Sequence, residues 1–338
     1  GIDRAGNARV PIRSTVAHRV RVGWNWVARH VRILVDRGFW PAWNLVRRAF
    51  RSLARRVRVL IGSEPSPGGR LDALRVPKGW TEMPLNSGEV AEYYDDWNDR
   101  YLARFGPVLQ TLRTQDPSEL IVEIGKAAQL EEGQVVCDAG CGVGGPAIVL
   151  AEEFGVTVEG VTVSGAQVEV ARDLIDEAGL RGRVDVRQGD FHRLERLYAA
   201  ERFDAVLFME SFCHTVHPRV VLQSVWRVLE PGGVVVIKDL FRAPGKDRAE
   251  RKLIETAARN TERHCHLQVR PREHVIEAVE AVGFALEVNE DLELKPEYDY
   301  DTGNTFVLEN GIDIFEGQPS TYLAHAIIRA RKPDTAGG

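Results

Sequence analysis

An apolar run, FDAVLF, leads at Phe203 to His217 straight into MESFCHTVH, which carries Glu210, His214 and His217 within eight residues. A carboxylate and an imidazole so close together are the residue types that general acid–base work uses. His214 and His217 stand three apart, and His264 and His266 flank Cys265, spacings that zinc can also use. Neither pair supplies four ligands, so a metal site would require the two to meet in space, and no metal is expected. A second chemistry-bearing stretch is DAGCGVGG, in which Gly140, Gly142 and Gly145 fit G-x-G-x-x-G. Glycines at that spacing let backbone approach a ligand at the start of the following helix.

Both stretches need elements to hold them. QVVCDAG reads as a strand, GGPAIVLAEEFG as a helix, TVEGVTVS as a strand, AQVEVARDLIDEAG as a helix, VDVRQGD and FDAVLFME as strands, RVVLQSVWRVL as a helix and GGVVVIKDLF as a strand. This alternation predicts an α/β fold, a Rossmann-like doubly wound, mostly parallel sheet with helices on both faces. Ligands in such sheets bind beyond the carboxyl ends of the strands, where the polar residues fall here. Upstream, SGEVAEYYDDWNDRYLARFG reads as an aromatic-rich helix, and DPSELIVEIGKAAQL as another with Asp116 as N-cap before Pro117.

At 338 residues the chain is long enough for a large domain and an appendage. Residues 1 to 80 hold 16 Arg and one Lys against four acids, a balance of +13, which leaves -18 for the remainder of a chain whose net charge is -5. Two apolar rows at helical spacing, Val20 to Val35 and Leu45 to Val57, run through the basic part, and GSEPSPGG reads as a linker. The boundaries expected are a basic amphipathic helical extension with linker over 1–80 and a catalytic domain over 81–338. The extension either packs on the domain as a cap, bridges copies in a homo-oligomer, or touches a membrane surface peripherally. Cys137, Cys141, Cys213 and Cys265 show no framework spacing and no apolar stretch reaches spanning length, so a cytoplasmic, reduced protein is expected, with a small-molecule substrate and no nucleic-acid partner.

Three details turn the glycine loop away from a nicotinamide dinucleotide: Asp138 stands just before it, Thr162 in GVTVSGAQ replaces the acid that would grip a ribose, and LEPGG precedes the last of these strands. DAGCGVGG, GVTVSGAQ, QGDF and LEPGG in this order resemble the class I S-adenosylmethionine-dependent methyltransferases, from about Tyr93 to Arg331. The resemblance implies that Asp138, Gly140, Cys141, Gly142 and Gly144 line the methionine side of S-adenosylmethionine. It further implies that Thr162 and Gln167 approach the ribose, and that Asp190 and Phe191 hold the adenine, with Met209 beside the cofactor.

The GVTxSxxQ variant resembles a subset that methylates carbon. MESFCH resembles the Glu-x-x-Cys-His segment of sterol C-methyltransferases, and its Glu-Ser, like the tail FVLENGIDIFEGQPSTYLAHAIIRARKP, is similar to geranyl diphosphate C-methyltransferases. By that likeness Glu210 is the base that removes a proton from a carbocation, with His214 orienting it or acting as the base instead. Tyr93, Tyr94, Trp97 and Phe241 are expected as aromatic walls, and His264, His266, Tyr298 and Tyr322 as further substrate contacts. Arg259, Arg263 and Arg270 would add charge beside a prenyl diphosphate, with which Mg2+ is compatible. Other readings stay open: Glu210 orders the cofactor or a loop, the Arg/His stretch is a solvated helix face, the substrate is a sterol or other lipid, the enzyme is an O- or N-methyltransferase of a small natural product, or the chain binds cofactor without turnover.

Overall fold

The computed structural model describes residues 87–110, 116–292, 308–311, 313 and 323–334. The basic extension 1–80, Tyr298 and Tyr322 lie outside the described residues.

Helix α1 (Ser87–Phe105) carries the aromatic residues, and α2 (Pro117–Ala127) begins as its sequence requires, with the Asp116 carboxylate accepting from the Ser118 N–H and proline in the first turn. Then β1 (Val135–Ala139), α3 (Gly145–Phe154), β2 (Thr157–Thr162), α4 (Gly165–Glu177) and β3 (Val184–Gln188) follow. A short 3-10 turn (Phe191–Arg196) leads to β4 (Phe203–Met209), and another (Phe212–His214) leads to α5 (Pro218–Val228) and β5 (Leu229–Arg242). Beyond them lie α6 (Arg248–Cys265), α7 (Arg272–Val282), β6 (Ala285–Asp291) and β7 (Leu323–Arg331).

The strands form one seven-stranded sheet in the order β3-β2-β1-β4-β5-β7-β6. The first five run parallel, whereas β7 is antiparallel to both β5 and β6. This is the Rossmann-like, mostly parallel sheet that the alternation predicts, extended by an antiparallel pair that the sequence pattern does not announce.

Strand alternation sorts the core into two layers. Val136, Ala205, Leu207, Met209, Val234 and Val236 pack with α2, α3 and α4 through Ile124, Leu150, Ala151 and Ala171. Cys137, Ala139, Val206, Phe208, Ile237 and Phe241 pack on the other face with α5 and α7 through Val221, Val225, Val275 and Val279. Phe241 therefore belongs to the core of the second layer and does not line the central cleft. Its even-numbered neighbour Leu240 takes that place, because a step of one residue along a strand changes face.

Two glycines of the loop after β1 are required by close approach. Gly140, at φ +92°, lies where a Cβ would stand 2.4 Å from the Ser211 Cβ, and a Cβ on Gly145 would stand 2.2 Å from the Pro107 carbonyl oxygen. Pro107 follows α1, so Gly145 is what lets α1 close over the loop. Gly145→Ala should therefore destabilise the fold by about 1–3 kcal/mol, since backbone meets backbone and no rotamer relieves it. A lowered urea midpoint with unchanged slope is the expected result; an unchanged midpoint would mean that the segment after α1 yields at no cost.

Candidate active site

The loops after β1 and β4 part at the middle of the sheet, and a deep cleft lies between them beneath α1. Asp138, Gly140, Cys141 and Gly142 line it from β1 and its loop, Thr162 and Gln167 from β2 and α4, Asp190 and Phe191 from the end of β3, and Met209, Glu210 and Ser211 from β4. Tyr93, Tyr94, Asn98, Tyr101, Leu102 and Phe105 descend from α1, and Thr261, Cys265 and Leu267 close the far side. The sequence-predicted cofactor set thus converges on one cleft, except Gly144, which caps α3 in a left-handed turn packed toward Ala171 and Val186.

Asp138 is buried, and its Oδ2 has no hydrogen-bond partner. Burial pushes its carboxyl up to about 7. An orphaned carboxylate of this kind fits a cationic group, and the ammonium of S-adenosylmethionine is one. At the second strand the Thr162 hydroxyl donates to Gln167 Oε1 at 2.6 Å, fixing that amide at the cleft. The Asp190 carboxylate accepts from the His192 backbone N–H at 2.9 Å and pairs with its Nδ1 at 2.6 Å. Burial alone would raise this carboxyl, but the His192 hydrogen bonds outweigh it and the net shift is downward. Phe191 is buried against Phe208 and lines the cleft beside it. Acids at both ends and an open cradle at Gly142, where an added Cβ would meet nothing nearer than Gln167 Nε2 at 4.0 Å, suit S-adenosylmethionine.

Helix α1 is pinned over this cleft. The Asp95 carboxylate accepts from the Ser164 hydroxyl at 2.5 Å and from the Ala166 N–H at 3.3 Å, at the start of α4. Tyr93 and Tyr101 share a hydrogen bond of 2.5 Å between hydroxyls. Burial pushes both phenols well up, so they stay protonated. Trp97 stacks on the outer side of Tyr93, with ring centroids 5.5 Å apart, and does not itself line the cleft.

Glu210 lies at the cleft with φ +55°, a left-handed conformation that costs a non-glycine residue about 1 kcal/mol or more. Its N–H donates to the Lys238 carbonyl at 2.7 Å, and its Oε1 accepts from the Lys238 ammonium, which also donates to Gln110 Oε1 at 3.0 Å. Lys238 and Gln110 were not anticipated. A lysine inside the apolar run VVVIKDLF is a readable signal, because lysine is almost never fully buried unless paired; Gln110 carries none.

His214 faces the cleft in another role. Its Nδ1 lies 3.1 Å from the His266 carbonyl, which can only accept, so the ring proton sits there. Nε2 then accepts from the Tyr94 hydroxyl at 2.9 Å. Burial holds this imidazole down at about 4, so it is neutral near pH 7. The ring is a clamp for Tyr94, with both nitrogens engaged. His266 contributes its carbonyl here and sets its ring against Tyr93, while His264 is exposed at the end of α6. Arg270 donates to the Thr215 and Val216 carbonyls, and Arg259 reaches Glu255 and Thr256 on the exposed surface of α6, so these described arginines serve structure and surface. Among the described residues no group of three or more His, Cys, Asp or Glu side chains is gathered as a metal site, and no helix is long and apolar enough to cross a membrane.

The sequence matches the methyltransferase domain family over residues 109–288, more than half of the chain. Similar proteins include methyltransferase GfsG of Streptomyces halstedii, 38% identical over 46% of this chain and 58% of that protein. Another is 24-methylenesterol C-methyltransferase 2 of Oryza sativa subsp. japonica, 30% identical over 61% of this chain and 56% of that protein. The chain thus spans a little over half the length of these curated relatives. The fold is shared with the [4+2]-cyclase SpnF, at 23% identity and TM-score 0.61 over 73% of this chain and 96% of that one. It is shared also with geranyl diphosphate C-methyltransferase from Streptomyces coelicolor A3(2), solved with Mg2+, geranyl diphosphate and S-adenosyl-L-homocysteine, at 19% identity and TM-score 0.58 over 74% and 98%.

If the orphaned Asp138 receives a cation, it must ionise to do so. Affinity for S-adenosylmethionine should therefore rise with pH up to about 7 and level off above it, and binding at pH 6 should release close to one proton. Calorimetry in two buffers of different ionisation enthalpy reads that count directly. Asp138→Asn should bind weakly at every pH with no release, and a wild-type count of zero at pH 6 would assign the ammonium to another partner.

Proposed function

The chain belongs to the class I methyltransferases, and from that premise we propose that it transfers the methyl group of S-adenosylmethionine to an alkene carbon of an isoprenoid acceptor. A small prenyl diphosphate is the favoured acceptor. The observation that carries this reading is Glu210, a carboxylate delivered by the end of β4 into a cleft walled by Tyr93, Tyr94 and Tyr101.

Methylation of oxygen or nitrogen needs a base only for one heteroatom proton, and a neutral imidazole commonly does that work. Here the imidazole is committed to Tyr94, and the carboxylate is the acid–base group left at the reacting end. When bound, S-adenosylmethionine would supply an electrophilic methyl group, its carbon–sulfur bond breaking with the electron pair kept by sulfur as a neutral thioether. The acceptor's π electrons form the new carbon–carbon bond and leave a tertiary carbocation. Glu210 and the negative faces of the tyrosine rings stabilise that cation. Glu210 then takes a proton from the adjacent carbon, whose C–H pair becomes the new double bond.

A second reading, a sterol-like or other uncharged lipid acceptor, draws support from the acidic character of the described lining. No arginine or lysine stands among the described residues that line the cleft, so a diphosphate acceptor calls for Mg2+ or for cations from other segments. The described residues gather no ligand set for that ion, and the chemistry of Glu210 is independent of it. We read residues 1–80 as an appendage to the methyltransferase domain 81–338, suited by charge to peripheral contact with a lipid surface and so to the second reading.

Incubation with radiolabelled S-adenosylmethionine and a panel of prenyl diphosphates with and without Mg2+, sterols, phenols and amines tests the proposal. Glu210→Gln should lower turnover about 100- to 10,000-fold while cofactor affinity holds within about twofold. His214→Ala should cost less, through loss of the Tyr94 clamp. Near-normal methylation of a prenyl diphosphate by Glu210→Gln would sink the carboxylate-base mechanism, and labelled phenol or amine alone would move the protein to heteroatom methylation. Deletion of residues 1–70 should leave cofactor affinity unchanged in the same calorimetric assay; a soluble truncated chain that binds no cofactor would place those residues in the core.

A further inference from the structure

We propose that Lys238 is the positioning residue of the site: it holds Glu210 in its reactive orientation and keeps it as a carboxylate in an apolar cleft. The inference rests on the reading of Glu210 as the base.

Three observations on geometry carry it. Lys238 grips Glu210 at both ends, through its backbone carbonyl to the Glu210 N–H at 2.7 Å and through its ammonium to Oε1. The Lys238 side chain is fully buried, so it has no solvent alternative, and its second contact, Gln110 Oε1 at 3.0 Å, is neutral. Finally, the left-handed turn at Glu210 breaks the alternation of β4. Met209 faces the layer of Val234 and Val236, and continued alternation would send residue 210 to the opposite layer. Lys238 lies on the Val234 and Val236 side by the same alternation, and it is there that the turned carboxylate meets it. The strain is local, and the paired charge opposes its relaxation.

Among the described residues, these titratable groups stand near the pair. His325 of β7 stands with Nδ1 4.0 Å from Glu210 Oε1, held neutral at about 4 mainly by burial and then by Lys238. Asp239, next to Lys238, faces the other way and accepts from the Cys213 and Leu240 N–H groups; burial lifts it to about 7 despite those bonds. Tyr94 and the Cys213 thiol are protonated, raised first by burial and to a lesser degree by neighbouring acidic groups, Glu210 among them. Arg270 is turned to the Thr215 and Val216 backbone carbonyls. Lys238 is therefore the cation in contact with Glu210 among the described residues.

In the reaction the proton leaves carbon for the Glu210 carboxylate, and Lys238 takes no part in the transfer. Its contribution is to keep the acceptor oxygen charged and aimed before the cation forms.

The test needs no acceptor. Protein labelled with 13C at the glutamate carboxyl carbons is titrated by NMR with S-adenosyl-L-homocysteine bound, and the resonance missing in Glu210→Gln is that of Glu210. In Lys238→Met that resonance should titrate at least one pH unit higher than in the wild type, with S-adenosyl-L-homocysteine affinity changed less than about twofold. A midpoint that does not move overturns the inference. Should Lys238→Met fail to fold, the double variant Glu210→Gln/Lys238→Met decides: recovery of folded, cofactor-binding protein shows that a carboxylate deprived of its lysine was the fault, and continued failure shows that Lys238 serves the fold apart from Glu210 and overturns the assignment. Normal methylation of geranyl diphosphate by Glu210→Gln would instead overturn the base reading, which separates the two failures.

Discussion

The site depends on one topological constraint, the change of winding direction between β1 and β4. The helix that follows β1 packs on one face of the sheet and the helix that follows β4 packs on the other, so the two connecting loops leave the sheet in opposite directions. A crevice must open between them, and ligands in open α/β sheets collect at this point. Everything polar in the cleft is arranged around that parting. Asp138 and the glycine loop stand on one bank and Glu210 on the other, tied by the Ser211 hydroxyl, which donates to the Ala139 carbonyl at 2.5 Å. Gly140 lacks a side chain because Ser211 occupies its space.

A crevice of this kind is expensive to line with charge, and the way the charges are compensated says what the site is for. Lys238 and Glu210 neutralise one another, and Asp239 is satisfied by two backbone N–H groups. Asp138 keeps one oxygen without a partner and sits near neutrality in its titration. Such a group is unfavourable for the fold by itself. In the cofactor-free protein the native state retains a proton that the unfolded chain has released between about pH 4 and 7, so the stability Asp138 contributes at low pH is lost as pH rises through that window. A bound cation reverses the sign, because the ionised form then gains a partner. A destabilised carboxylate in this state suits a cationic ligand better than a neutral one.

Much of this was legible in the sequence, and what was missed shares a physical cause. The five parallel strands read clearly because four are largely buried apolar runs and β3 alternates buried and exposed positions, each flanked by glycine or polar residues, and the Asp116 cap read because its side chain acts on the residues next to it. The antiparallel strands did not: β6 alternates partly buried and exposed residues without one fully buried position, and β7 owes its place to pairing with β5 across a long separation in sequence. In the site, residue types were readable but facings were not. Phe241 and Leu240 differ by one step along a strand, Trp97 and Tyr93 by one helical turn, and only the packed layers decide which of each pair meets the cleft. Lys238 and Gln110 become functional candidates through contacts with residues 28 and 128 positions away, which no local pattern encodes.

The choice between the two bases that the sequence offered, Glu210 and His214, turns on what each is already bound to. A base must have a lone pair that can turn toward the reacting atom. The His214 ring has none to spare: Nδ1–H is spent on the His266 carbonyl and Nε2 on the Tyr94 hydroxyl, and burial disfavours the imidazolium that proton uptake would create. The Glu210 carboxylate faces the cleft, and taking up a proton neutralises it where the same step at His214 would create a buried imidazolium; the Lys238 ammonium keeps its hydrogen bond to Gln110 Oε1. On the proposed carbon methylation, the same arrangement would favour a substrate that itself becomes cationic, because the developing charge would fall between a carboxylate and aromatic faces already in place and need draw no water into the cleft.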